Sequence, residues 1–158
     1  MSTLKRLLGG VDAKHVRPLH RAALLGVAAS IRDKARQLVP VRSDKRLIKR
    51  SNGKFRKAGN LKKSISAKPL KPKSGRADTA IVYAKSGSKY ANDGYYWRMV
   101  EKGSKTRGGK SRQPARPFLS PAVKQVQGRL DLILEQKFTA AFERRIKNEL
   151  KRQASMNK

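Results

Sequence analysis

Cysteine is absent from this 158-residue chain. A disulfide framework and a thiolate metal site are both excluded, and sulfur redox chemistry is limited to three methionines. Acidic residues are scarce, 10 against 40 Lys and Arg, for a formal net charge of +30. Metal-dependent nucleases need grouped carboxylates, yet Asp78, Asp93 and Glu101 are the only acids between residues 45 and 130. The two histidines, His15 and His20, are five apart and miss the i, i+4 spacing that would put two ligands on one helical face. Serines are plentiful, but no G-x-S-x-G elbow occurs. These gaps argue against an enzyme and against a bound metal or cofactor. Long apolar runs are missing too. Nothing approaches the roughly 18 residues of a membrane span, and Leu4, Leu7 and Leu8 make too short a cluster for a secretory signal. A soluble protein is expected.

What the chain has in excess is positive charge. At +30 a compact chain repels itself unless salt or an anionic neighbour screens it, so a polyanion is the expected partner. Nucleic acid, an anionic membrane and a packed viral genome all qualify on charge alone. The length suits one domain over residues 1–158.

The first element is a helix from about Pro18 to Leu38, because Leu24, Val27, Ile31, Ala35 and Leu38 recur at spacings of three and four and Pro40 forbids continuation. Residues 43–58 form a basic insert whose Asn52-Gly53 pair favours a tight turn, either a protruding hairpin or a loop, with Leu47, Ile48 and Phe55 tilting it toward the hairpin. Residues 61–68 and 79–84 read as two strands of an antiparallel pair separated by turn formers. Residues 95–102 are too few for periodicity to decide between strand and helix. Ser120 followed by Pro121 reads as a helix start, and Val123, Val126, Leu130, Ile133, Leu134, Phe138, Phe142 and Ile146 extend one amphipathic helix over about 121–150. The fold class is α+β, two long helices packed on a small antiparallel sheet with extended basic loops.

Residues 95–123 combine three kinds of chemistry. Tyr95, Tyr96 and Trp97 can bury large apolar area, Gly103, Gly108 and Gly109 permit unusual backbone angles, and Arg116-Pro117-Phe118-Leu119 sets a charge beside an apolar plug. The glycines alternate with Lys102, Lys105, Arg107, Lys110 and Arg112, but the spacing is not that of a nucleotide-binding loop. A flexible loop over 102–114 that orders on assembly is the reading, against an idle disordered loop.

Four segments, in order, resemble a known group. Val39-Pro40-Val41-Arg42, Gly59-Asn60-Leu61-Lys62-Lys63-Ser64-Ile65, Val100-Glu101-Lys102-Gly103-Ser104 and Pro114-Ala115-Arg116-Pro117-Phe118-Leu119-Ser120-Pro121-Ala122 are similar to the motif series of the small neck, tail-completion or minor tail proteins of tailed bacteriophages. The match runs over about residues 18–150, with one departure: the insert 43–58 separates the first two segments, which are almost contiguous in the family. The resemblance implies a virion structural protein at the head-to-tail junction, made in the host cytoplasm. It would form a homo-oligomeric, hexameric ring around the channel for genomic DNA. Its neighbours would be head-completion or connector proteins on one side and tail-terminator or tail-tube proteins on the other, with no membrane.

On that basis the DNA or polyanion contacts are expected at Lys45, Arg46, Lys49, Arg50, Lys54, Arg56 and Lys57 of the insert and at Lys105, Arg107, Lys110 and Arg112 of the loop. Gripping an acidic neighbour protein is the alternative use of the insert. The assembly interface is expected at Tyr95, Tyr96, Trp97, Glu101, Arg116, Pro117, Phe118 and Leu119, as core or subunit-interface anchors. Phe118 is read as the plug whose loss stops assembly, and Glu101 as an ion-pair partner of Arg42, Arg98 or Arg116. Composition alone points equally to a sequence-independent nucleic-acid binder of ribosomal or nucleoid type.

Overall fold

The computed structural model describes residues 13–41, 43, 48–49, 55–70, 77–87, 89–105 and 112–156. Helix α1 (Ala13–Leu38) begins more than a turn before the expected start, so Pro18 lies inside it. Its buried residues are Leu19, Ala23, Val27, Ala28 and Ala35, mostly four apart and continued by Val39 just past its end, whereas Ile31 is half-buried and Leu38 exposed. Ala23 and Ala35 are fully covered. Small side chains let neighbouring elements approach the helix closely, which rotates the contact face away from the larger Leu24 and Leu38.

The insert contributes an antiparallel pair, β1 (Ile48–Lys49) and β2 (Phe55–Arg56), with Ile48 opposite Arg56 and Lys49 opposite Phe55. The hairpin expectation holds for these residues, and the Asn52-Gly53 turn lies outside the described ones. A short helix, α2 (Asn60–Ser64), precedes strand β3 (Ile65–Leu70). The strand expected over 61–68 therefore starts four residues late, because Asn60 and Ser64 make side-chain bonds that hold a helical turn there.

Strand β4 (Thr79–Ala84) pairs with β3 in a two-stranded antiparallel sheet, and helices pack on it. Residues 97–102 form helix α3 (Trp97–Lys102), which resolves the ambiguity of that stretch. Strands β5 (Ser104–Lys105) and β6 (Arg112–Gln113) then pair antiparallel, so the ends of the expected flexible loop form a ladder.

The last helix is two helices. α4 (Leu119–Gln127) and α5 (Leu130–Met156) are separated at Gly128 and Arg129, where the Arg129 N–H bonds the Val126 carbonyl at 3.0 Å in an i→i+3 turn. The stripe expected over 121–150 keeps its spacing across this break, from Val126 to Leu130, so periodicity could not reveal it.

The chain divides into two compact units. The first comprises residues 1–27, 69–80 and 130–158, and within it α5 lies along the start of α1, with the stem of Lys137 against Gly26. Arg17 and Arg21 also reach Asp78, whose side chain is buried. Arg17 Nε donates to Oδ2 at 3.3 Å, while Arg21 Nε sits 3.1 Å from Oδ1 without hydrogen-bond alignment.

The second unit comprises residues 28–68 and 81–129 and holds a hydrophobic core: Ala35 of α1 and Val39 just after it, Leu61 of α2, Ile65 of β3, and Phe118 and Ala122 at the start of α4. Val82, Ala84, Tyr96, Trp97, Val100 and Leu119 pack around it. Arg36 clamps α1 to β3 by donating from Nε at 3.2 Å and Nη2 at 2.6 Å to the Ile65 carbonyl.

Candidate assembly site and basic surface

The stretch singled out in the sequence folds around one carboxylate. Glu101, buried on α3, accepts the backbone N–H groups of Phe118, Leu119 and Ser120, each at 2.9 Å, and the Ser120 hydroxyl at 2.6 Å. A helix leaves its first four N–H groups without internal partners. In α4 these belong to Phe118, Leu119, Ser120 and Pro121; the Ala122 N–H makes the first internal bond, to the Phe118 carbonyl at 3.3 Å. Glu101 satisfies three of the four, and Pro121 has no N–H to satisfy. A negative charge at a helix N-terminus is also favoured by the helix dipole.

This arrangement corrects two expectations. Ser120 is not the capping residue; it sits inside α4 and donates to the cap. Glu101 makes no ion pair with Arg98 or Arg116, and Arg42 lies outside the described residues. Burial pushes the Glu101 carboxyl up, but bonds from Phe118, Ser120 and Leu119 outweigh it and hold the group below its ordinary value. The charged form is what the site is built to hold.

Two motif segments thus become one structural unit. The Arg116 N–H bonds the Val100 carbonyl at 2.8 Å, so the strand-like run before α4 is strapped to α3 next to the Glu101 cap. Gly103, at φ +76°, ends α3 in a conformation that a side chain resists and turns the backbone into β5. Phe118 is only 2% exposed, in the core of the same unit, so it is no protruding plug. An aromatic ring that fills the chain's own core cannot also project to a neighbour.

A second polar knot was not foreseen. Asn60 donates its side-chain amide to the Asp93 carbonyl at 2.5 Å, and Asp93 Oδ1 accepts the N–H groups of Gly87 at 3.2 Å and Tyr95 at 3.1 Å. The Gly94 N–H bonds the Lys85 carbonyl at 2.7 Å, and the Lys85 N–H bonds the Ser64 carbonyl at 2.9 Å. Gly94 is packed so closely that a Cβ there would overlap the Ser64 hydroxyl and lie 3.1 Å from the Ala84 Cβ. The only sequence signal was Asn60 in the Gly-Asn-Leu segment; its partner is 33 residues away.

The remaining expected interface residues lie at or near the surface. Tyr95 is 53% exposed, and Tyr96 packs its ring edge-on at 5.5 Å. Trp97 is half-buried with the Arg98 guanidinium 5.4 Å from its ring centre. Arg116 and Pro117 are exposed, and so is Met99. Met99 and Lys102, three apart, share the outward side of α3, and Tyr95 is exposed just before it. An apolar hollow of about 100 Å³ opens between Val82, Tyr83, Trp97 and Leu119.

Of the expected polyanion contacts, Lys57 is exposed; Lys49, Arg56, Lys105 and Arg112 are placed by their strands, and Lys45, Arg46, Arg50, Lys54, Arg107 and Lys110 lie outside the described residues. Both strand pairs, β1 with β2 and β5 with β6, belong to the same unit. That unit holds 25 of the cations and only four acids, Asp33, Asp44, Asp93 and Glu101. Two of the four are buried, accepting backbone N–H groups. Asp33 is held below its usual value by its hydrogen bonds with Arg32, at 2.8 and 2.9 Å. The unit's sequence therefore carries a large excess of positive charge.

Among the described residues no group of three or more His, Asp or Glu side chains could hold a metal ion, and no helix is long and apolar enough to cross a membrane. Comparison of the chain with protein-family profiles, with curated proteins and with solved structures gives no match.

Proposed function

We propose that the chain is a non-catalytic structural protein of a tailed bacteriophage that joins tail to head at the neck, as a ring of copies around the DNA channel. The observation that carries this reading is the junction at Glu101. The Val-Glu-x-Gly and Ala-x-Pro-Phe-Leu segments, which carry the family resemblance, are separated in sequence yet bonded to each other through one carboxylate. Asn60, Leu61, Ser64 and Ile65 of the Gly-Asn-Leu segment, and Val39 of the first, are buried in the same unit. Part of the resemblance thus falls on buried positions of one unit, while Val41, Arg116 and Pro117 of the same segments are exposed.

In this role the positive field of the second unit faces phosphate, and the exposed Tyr95, Met99 and Arg116 meet the neighbouring head-completion, connector, tail-terminator or tail-tube proteins. The DNA contacts are to backbone phosphate and read no sequence. Electron microscopy of phage particles with and without this chain tests the reading. A symmetric ring at the head-to-tail junction, and unjoined heads and tails in its absence, is the expected result; normal particles lacking the chain would refute it.

A second reading is favoured by the charge itself. With 25 cations to four acids in one unit, sequence-independent binding of nucleic acid needs no ring. Normal particles without the chain, together with tight and salt-sensitive binding of duplex DNA, would make this the better account.

A further inference from the structure

α5 is 27 residues long, and none of its described residues is buried. Its inner stripe, Leu134, Phe138, Ala141 and Phe142, is only half covered, and a hollow of about 400 Å³ lined by His20, Asp131, Leu134, Glu135, Phe138 and Thr139 stays open beside it. On the adjoining flank Leu132 and Leu150 are 55% and 58% exposed. Leu132, Thr139 and Ile146 recur every seven residues, and Leu150 follows Ile146 by four, so these residues run as one seam along the helix.

Charge narrows the choice of what covers that seam. α5 contains four of the chain's ten acids and six of its forty cations, a net +2 out of +30. It is the one long element on which two copies can meet without adding strong like-charge repulsion. The charges are also sorted along it. Residues 130–142 carry Asp131 and Glu135 against Lys137, while residues 143–156 carry five cations against Glu143 and Glu149. A parallel pair sets like halves together; an antiparallel pair sets the acidic half of each copy against the basic half of the other.

We infer that the exposed flank of α5 is a self-association surface, on which a second copy of this chain docks its own α5 antiparallel. Centred on Ala141, such a pair brings Leu132 of one copy level with Leu150 of the other and Asp131 level with Lys151 and Arg152. The contact is two-fold and self-complementary. It describes the chain in solution and does not rest on the neck reading.

The absence of cysteine makes the test clean. The full chain carrying Leu132→Cys and Leu150→Cys is oxidised at low concentration and examined on a non-reducing gel. Within one α5 these positions are about 27 Å apart at 1.5 Å per residue, far too distant for a disulfide, so any bridge joins two copies. The double variant should give a covalent dimer, and each single variant should not. Bridging by a single variant indicates a parallel pair and overturns the inference, as does a double variant that stays monomeric. Sedimentation of the native chain should show a dimer, with Leu132→Glu and Leu150→Glu together weakening it by roughly tenfold or more at unchanged helix content. A native chain that sediments as a monomer at every concentration also overturns it.

Discussion

The carboxylate of Glu101 and the backbone N–H of Phe118 meet at 2.9 Å across 17 residues of sequence, and that bond makes α3 the cap of α4. Phe118 needs this fixed position, because its ring is the largest fully buried side chain among the described residues. Capping and core packing are therefore coupled: releasing the helix start also loosens the residue that fills the core.

Glu101→Gln keeps the shape and removes the charge that three N–H groups and a hydroxyl address. A lost charged cap costs about 1–3 kcal/mol, so a clear fall in the denaturant midpoint is expected at neutral pH. Glu101→Ala should cost more, since buried N–H groups are left unpaired. An unchanged midpoint in both variants would show that water replaces the carboxylate without loss.

The same residue sets an acid dependence. Its folded-state value lies below its unfolded value, so its contribution is fully present above the ordinary glutamate range near pH 4.3. As pH falls through that range and on through the folded value, the unfolded chain binds the extra proton and the contribution is lost. Stability measured by denaturant titration should fall as the pH drops through the ordinary glutamate range and below it, and Glu101→Gln should flatten that slope. Asp33 shifts in the same direction through Arg32, but it is exposed and screened, so its share is small.

These two predictions rest on a residue whose role was only half legible in the sequence. The segment containing Glu101 stood out, and its scarcity among cations suggested an ion pair; three of its four actual partners are backbone N–H groups, which have no sequence signature. α1 and β4 were readable because each carries its own pattern, helical spacing in one and β-branched apolar residues in the other. The start of β3 was not, since Asn60 and Ser64 hold a helical turn through bonds to Asp93 and Leu61 that no local propensity encodes. The break at Gly128 escaped because an i→i+3 turn left the apolar spacing intact.

Gly94 offers a test of the second knot. A methyl group there overlaps the Ser64 hydroxyl, which is itself held to the Leu61 carbonyl at 2.7 Å and cannot swing away freely. Gly94→Ala should destabilise by about 1–3 kcal/mol, as overpacking does. Adding Ser64→Ala removes the clashing oxygen but leaves the Cβ contact at 3.0 Å, so the double variant should recover part of the loss. Strictly additive losses would mean that the backbone, not Ser64, takes up the strain.

The burial of Phe118 changes how an assembly surface should be probed. Phe118→Ala should destabilise the chain itself by about 3–5 kcal/mol, so any assembly defect it causes is uninformative. Tyr95→Ala and Met99→Ala act on exposed side chains and should leave the melting temperature of the isolated chain nearly unchanged. If the exposed surface formed by Tyr95 and the outward side of α3 meets a neighbouring ring, the Tyr95 and Met99 variants together should reduce incorporation into particles. Normal incorporation of that double variant would remove this face from the interface.

The basic insert makes the last prediction. Lys49 and Arg56 lie on its paired strands, and Arg50 and Lys54 fall between them in sequence, outside the described residues. Each phosphate contact releases counterions, and on duplex DNA it contributes about 0.9 to the slope of log affinity against log salt. Replacing all four with glutamine should lower that slope by up to about 3.6 if each cation meets one phosphate. The loss should be the same on DNA of any sequence, because phosphate contacts position a protein without reading bases. An unchanged slope would take the insert out of the DNA path and leave its charge to grip an acidic protein.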